Sequence, residues 1–192
     1  LPIYYQMALR EFALANGRCN WFAGTGTGKT SAALDVYDTL LALGEVDRML
    51  VVSKKRVAKL VWRREIAKWD NYRHLTCAVA IGTAEQRRAA IASRAHITTI
   101  NYDNLPWLAE TVGDDWPWQM VIADESTRLK SLRVSLQTSK LGKEFMRHDG
   151  AVRAEQLYQG FVIGLLASAV ALVIGGPRRA QQGKSPRSQR PQ

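Results

Sequence analysis

Two short stretches of this 192-residue chain hold residue types suited to phosphate chemistry. The first is "AGTGTGKT", residues 23–30. Gly24, Gly26 and Gly28, alternating with Thr25 and Thr27, allow backbone conformations that other residues resist, so successive N–H groups can turn inward and cradle phosphate oxygens. Lys29 would reach the β- and γ-phosphates, and Thr30 would set its hydroxyl on Mg²⁺. A strand before the loop and a helix after it would add the helix N-terminus to the same anion site. Taken alone, the pattern is also compatible with a Gly/Thr-rich turn that contains Gly-Lys-Thr by accident.

The second stretch is "MVIADESTRLK", residues 120–130. An apolar run ends in Asp124-Glu125, which places two carboxylates at the carboxyl edge of a parallel sheet, where open α/β folds bind their ligands. Asp124 is the candidate to hold Mg²⁺, directly or through water. Glu125 is the candidate to polarise an attacking water, so that metal and base share the work. An Asp-Glu pair that merely caps the next segment is the bland alternative. The two motifs together point to a nucleoside triphosphate, with ATP and Mg²⁺ as the implied cofactors and Lys29 and Glu125 as the catalytic candidates.

The elements that must position these groups follow from the hydrophobic pattern. Strands are expected at 19–23, 48–53, 76–82, 96–100 and 118–124, and helices at 29–43, 56–69, 83–94 and 104–112. In the first helix Ala33, Val36, Tyr37, Leu40 and Leu41 share a face, and Gly44 suits its stop. The second is read as amphipathic, with Val57, Leu60, Val61, Glu65 and Lys68 spread around it. Pro106 limits the last to a short helix that begins near it. Strands alternating with helices across short links predict a mostly parallel sheet covered on both faces, an α/β domain over residues 1–150.

On these residues the chain resembles the first RecA-like lobe of superfamily-2 DNA helicases and translocases, above all the Swi/Snf-like branch with its phage-encoded members. "AGTGTGKT" is similar to that superfamily's A-x-x-G-x-G-K-T loop, and "DESTRLK" to the branch's second motif. Tyr5-Gln6 resembles the adenine-contacting glutamine motif. "LVVSKKRVAKLVWRREIAKW", with Trp62, Glu65 and Trp69, and "ITTINYDNL" resemble two further segments of the lobe. The resemblance implies Mg-ATP binding and hydrolysis coupled to movement on DNA, with Gln6 at the adenine. It also implies a second lobe that supplies arginine fingers, worth roughly 10³–10⁵ in rate. Neither that lobe nor a Thr-Gly-Thr-Pro-like third motif is found in the sequence, so weak or absent turnover is expected of this chain alone. Thr127 stands where the branch usually has His.

The resemblance further implies a sugar-phosphate contact just after the second strand, at Lys54, Lys55 and Arg56, with Asn101 and Tyr102 lesser candidates and packing the alternative role for Tyr102. Eight basic residues lie between Lys54 and Arg73 against two acids, Glu65 and Asp70. Such groups read charge and shape rather than bases, so the expected partner is the backbone of double-stranded DNA. For Arg63, Arg64 and Lys68 a solvated helix face is an equal reading. The formal charge of +10 agrees with a polyanionic partner without proving one. The tryptophans are read as packing anchors. His74, His96 and His148 lack metal-ligand spacing. Cys19 and Cys77 read as buried free thiols in a reducing, cytoplasmic setting. No signal peptide opens the chain, and the missing initial Met suggests a fragment.

Beyond residue 150 the character changes. Gln156 to Pro177 holds no charged residue, and "FVIGLLASAVALVIGG" is apolar almost throughout. Residues 151–177 are read as an apolar helical or membrane-like segment, with a buried strand and a diverged reading frame as rivals. A membrane span is disfavoured by the shortness of its apolar core. Residues 178–192, Pro/Gln/Ser-rich and basic, read as a disordered tail. The alternatives to a helicase lobe are another P-loop ATPase, or a nucleotide-binding module, associated with nucleic acid or membrane, that lacks catalysis.

Overall fold

The computed structural model of the chain describes residues 4–16, 18–22, 26–113, 115–124 and 169–174. Glu125, Gly24, Thr25, Thr127, His148 and the tail at 178–192 lie outside these residues. The helices are α1 (Tyr4–Asn16), α2 (Lys29–Ala42), α3 (Lys55–Lys68), α4 (Ala84–Ala92) and α5 (Leu105–Val112). The strands are β1 (Arg18–Phe22), β2 (Met49–Ser53), β3 (Cys77–Val79), β4 (Ile97–Asn101), β5 (Met120–Asp124) and β6 (Ala169–Ile174). Among the described residues the strands form one sheet in the order β1-β6-β5-β2-β4-β3.

The strands β5, β2, β4 and β3 run parallel, in the α/β arrangement expected. The residues of β2 and β4, and those of β5 up to Ala123, are buried on both faces, whereas β3 is half-buried, and period-2 alternation divides the buried residues between two cores. Met49, Val51, Ile97, Met120 and Ile122 face α2 and α3, where Ala33, Val36, Tyr37, Trp62 and Ile66 are buried. Leu50, Val52, Ile100 and Val121 face the other way, toward Leu108, Trp118 and the flanks of α4 and α5. Covering both faces is what permits near-continuous apolar strands such as "MLVVS".

The helix boundaries follow local chemistry. Gly44 takes φ +72° just past α2, where its N–H and that of Glu45 reach back to Leu41 and Leu40 carbonyls at 3.0 Å. This is the left-handed stop that glycine permits. Pro106 sits in the first turn of α5, where its missing N–H costs nothing. Thr83 and Gln86 close a reciprocal capping box on α4.

Four features differ from the sequence expectation. α1 is a helix that the pattern did not announce, because its only fully buried side chain is Ala13 while Tyr4, Met7 and Phe12 face outward. In α3 the buried stripe is Ala58, Trp62 and Ile66, and Val61 is exposed. β3 is three residues long, shorter than the apolar run around it. Residues 169–174, within the segment read as helical or membrane-like, form a strand, antiparallel to both β1 and β5. An apolar run without periodicity does not discriminate helix from strand, and here the sheet decides. Among the described residues no helix is long and apolar enough to cross a membrane.

Candidate nucleotide and nucleic-acid sites

The sheet register brings the ends of four strands to one edge. Ser53 pairs level with Asn101, and Val52 with Ala123, so Ser53, Asn101 and Asp124 end their strands together. β6 is antiparallel to β1 and to β5, which makes β1 and β5 parallel to each other. Phe22 and Asp124 pair with Ala169 and Val170, so the exit of β1 into the glycine loop lies at the same edge.

At that exit Gly26 takes φ +78° and Gly28 φ +74°. Both lie in the left-handed region, which costs an L side chain about 1–2 kcal/mol. Gly28 is the N-cap of α2 and offers no side-chain cap, and the first turn of α2 carries no acidic residue. The first helical hydrogen bond runs from the Ala32 N–H to the Gly28 carbonyl at 3.0 Å. The N–H groups of residues 29–31 therefore have no acceptor within the helix. A helix of 14 residues that begins on a glycine turn presents its positive dipole end there, which fits a phosphate. Lys29 and Thr30, both half-buried, are its first two residues.

Gln6 approaches this loop from α1. Its Nε2 donates to the Thr27 carbonyl at 3.4 Å, and a Cβ on Gly28 would run into the same amide. Gln6, the residue to which the resemblance assigns the adenine contact, is thus placed beside the glycine loop. α1 is fixed against α2 by the Arg10–Asp35 ion pair at 2.9 Å and by Arg10 donating to Thr39 Oγ1 at 3.1 Å.

Asp124, half-buried, ends β5 on the same edge. Its backbone carbonyl accepts a hydrogen bond of 2.5 Å from the Tyr102 hydroxyl. Carboxylate and hydroxyl oxygens suit Mg²⁺, and Asp124 with Thr30 supplies those donor types at one sheet edge.

Farther along the edge, Lys54 is the N-cap of α3, followed by Lys55 and Arg56, and all three are exposed. Lys59, Arg63, Arg64 and Lys68 continue the exposed basic face of α3. Asn101 differs from these three. It is 5% exposed, its Nδ2 donates to Asp103 at 3.1 Å, and its Oδ1 accepts from Asn104 at 2.6 Å. The network ends on Arg87, which donates to Asn104 Oδ1 at 2.7 Å and lies 4.1 Å from the Trp107 ring centroid. Asn101 therefore braces the turn after β4 instead of presenting its amide to an outside strand.

The Trp-Glu-Trp segment of α3 is structural. Trp62 is buried, and Trp69 Nε1 donates to Glu65 at 2.9 Å across one helical turn. His74 pairs with Asp38 at 2.7 Å, and His96 Nδ1 accepts from the Thr76 N–H at 3.1 Å. Cys19 and Cys77 are free thiols. Burial pushes each up to about 11, which keeps them protonated and unreactive near neutral pH. Sequence reasoning missed Tyr102 as a partner of Asp124; the two are 22 residues apart, and no local pattern signals the contact.

Residues 22–147 match the SNF2-related domain family. A phage protein of the Acyrthosiphon pisum secondary endosymbiont phage 1, described as putative protein p41, is 42% identical over 135 residues, which are 69% of this chain and 29% of that protein. A SWI2/SNF2 ATPase core from Sulfolobus solfataricus, solved in complex with dsDNA, superposes with a TM-score of 0.57 at 22% identity. That match covers 75% of this chain and 29% of the core, and it shows a shared fold. The chain thus spans less than a third of the length of either protein.

Proposed function

The chain belongs to the SNF2-related family, and we propose that it is the ATP-binding lobe of an ATP-dependent DNA translocase, working with a second lobe. The observation that carries this reading is the start of α2. Two left-handed glycines lead into a helix without a side-chain cap whose first residues are Lys29 and Thr30, on the sheet edge that also holds Asp124. Gly24 to Gly28, with Thr25 and Thr27, wrap the phosphates, and Lys29 neutralises their charge. Gln6 reads the adenine edge. Thr30 and Asp124 hold Mg²⁺, which when bound screens the phosphate oxygens. Glu125, next in sequence, orients the water that attacks the γ-phosphate.

Lys54, Lys55 and Arg56 take the phosphodiester backbone of double-stranded DNA. The solved ATPase core carries dsDNA, and the exposed basic face of α3 supports the same polyanion here. Turnover by this chain alone is weak, because an arginine finger would come from the second lobe.

Nucleotide titration of the intact chain tests the assignment. Lys29→Ala removes a charge-assisted hydrogen bond worth roughly 1.5–3 kcal/mol, so Mg-ATP binding should weaken by about ten- to a hundredfold. Equal binding by wild type and Lys29→Ala overturns the site. Robust DNA-stimulated phosphate release from the chain alone overturns the requirement for a second lobe.

A further inference from the structure

β6 runs against the grain of the sheet. β5, β2, β4 and β3 are parallel, β1 is parallel to β5, and β6 lies between β1 and β5 antiparallel to both. Among the described residues β1 pairs with β6 and with no other strand. The backbones of β1 and β5 are two strand spacings apart, about 10 Å, and the strand between them sets their relative height. Its first two residues do so at the carboxyl edge. Ala169 pairs with Phe22, from which the glycine loop leaves, and Val170 pairs with Asp124.

The glycine loop hangs between two unlike anchors. At its far end α2 packs on β2 and β5 through Ala33, Val36, Tyr37, Met49 and Ile122, with no help from β6. At its near end β1 joins the same core through Cys19 and Trp21. Apolar packing is non-directional, so it holds β1 close while leaving its position along the strand axis loosely set. Hydrogen-bonded register sets that position, in steps of one residue or about 3.3 Å. Loss or slippage of β6 therefore moves the start of the loop, relative to Lys29, Thr30 and Asp124, by more than a hydrogen bond tolerates. Chain continuity does not keep β6 in place. Residues 125–168 separate it from β5, against roughly two to five residues in a hairpin loop, so its insertion rests on the two ladders.

We propose that the slot between β1 and β5 is a strand-acceptor site, that residues 169–174 are a strand donated to it by the same chain, and that Mg-nucleotide binds tightly only while the slot is filled. The inference rests on the nucleotide site proposed above. Linkage makes the relation reciprocal, so a nucleotide that prefers the filled slot also holds β6 in place. A coupling of ordinary size separates the filled and open forms by about five- to fiftyfold in nucleotide affinity.

Measurements on the full chain test it. Cys19 and Leu172 are register partners, so Leu172→Cys places a second thiol opposite Cys19 at a Cα separation of about 4.5–5.5 Å, within disulfide range. Cys77, the other native thiol, is on β3 at the opposite end of the sheet and does not compete. Under mild oxidation the disulfide to Cys19 should form about tenfold faster in Leu172→Cys than in Ala171→Cys, whose register partner is Asn20. Titrated with a fluorescent ATP analogue and Mg²⁺, the locked chain should bind at least as tightly as the same protein after reduction. Ala171→Pro removes a ladder N–H from the middle of β6 and should bind about five- to fiftyfold more weakly, with a thermal melt to show that it is folded. The last measurement uses wild type. Cys19 is 8% exposed, so its alkylation requires β1 to open, and saturating Mg-ATP should slow it by about fivefold or more while Cys77 reacts as before. That measurement needs no variant and decides the matter if Ala171→Pro does not fold. Equal disulfide rates in Leu172→Cys and Ala171→Cys, weaker binding by the locked chain, a folded Ala171→Pro that binds like wild type, or Cys19 alkylation indifferent to Mg-ATP each overturns the proposal. Failure of the nucleotide site itself shows differently: Lys29→Ala then binds the analogue as tightly as wild type, while the disulfide in Leu172→Cys still forms.

Discussion

At the β1–α2 end of the carboxyl edge the proposed working groups are mostly backbone, held by glycines at φ +78° and +74° and by a helix start without a side-chain cap. At the β2–α3 end the proposed groups are charged side chains standing in solvent, beside a hydrogen-bonded network centred on buried Asn101. The first kind of site is made by conformation and is disturbed by adding a single Cβ. The second is made by charge, tolerates single changes, and fades with salt. A ligand with a fixed phosphate chain suits the former, and a long polyanion of variable sequence suits the latter.

The sharpest way to break this contrast is Gly28→Ala. An L residue at φ +74° carries about 1–2 kcal/mol of strain, and the new Cβ is aimed at the Gln6 amide. The loop relieves both by rotating, which misaligns the N–H groups at the phosphate. Nucleotide affinity should fall by about tenfold or more, for a stability loss of roughly 1–2 kcal/mol in a denaturant melt. Gly44→Ala supplies the control. It has nearly the same φ, +72°, and no atom within 4 Å of the added Cβ. It should cost similar stability and leave nucleotide binding unchanged. Equal nucleotide affinity in Gly28→Ala would remove the conformational account of the site.

Next in size is Asn101→Ala, which tests whether the amide network belongs to the rim or to the scaffold behind it. Deleting a buried group that satisfies Asp103 and Asn104 should lower stability by about 1–3 kcal/mol. The salt dependence of DNA binding should not change, because no phosphate contact is lost. A variant of wild-type stability with a reduced salt slope would place Asn101 on the DNA instead.

The two ends also differ in how far the sequence disclosed them. The glycine loop was legible as a motif because its residues are local: glycines, lysine and threonine follow one another between a strand and a helix. The parallel strands were legible because burial on both faces leaves runs such as "MLVVS" and "MVIAD". Asn101 shows what a sequence leaves open, because residue type does not say which way a polar side chain points, and here the side chain is buried and hydrogen-bonded to Asp103 and Asn104. α1 went unread because its outward-facing Tyr4, Met7 and Phe12 blur the apolar stripe. β6 was ambiguous for a different reason: an unbroken apolar run fits either a helix or a strand until β1 and β5 are present to accept it. The Tyr102–Asp124 hydrogen bond had no signal at all, since it is created by the strand order.

The smallest expected effect is also the cleanest probe of the charged end. Lys55 is exposed in the first turn of α3, so Lys55→Ala should leave stability within about 0.5 kcal/mol of wild type. If Lys55 neutralises one backbone phosphate, its loss should reduce the slope of log affinity against log salt by about 0.9. The drop in DNA affinity at physiological salt should be only a few-fold and the same for unrelated duplex sequences, because a point charge reads no base edge. Arg64→Ala, farther along α3, is the matched comparison. A backbone track confined to the carboxyl edge leaves its slope at the wild-type value, whereas a track along the whole basic face lowers both slopes equally. An unchanged slope in Lys55→Ala would take Lys55 off the DNA and leave Lys54 and Arg56 as the contacts at this edge.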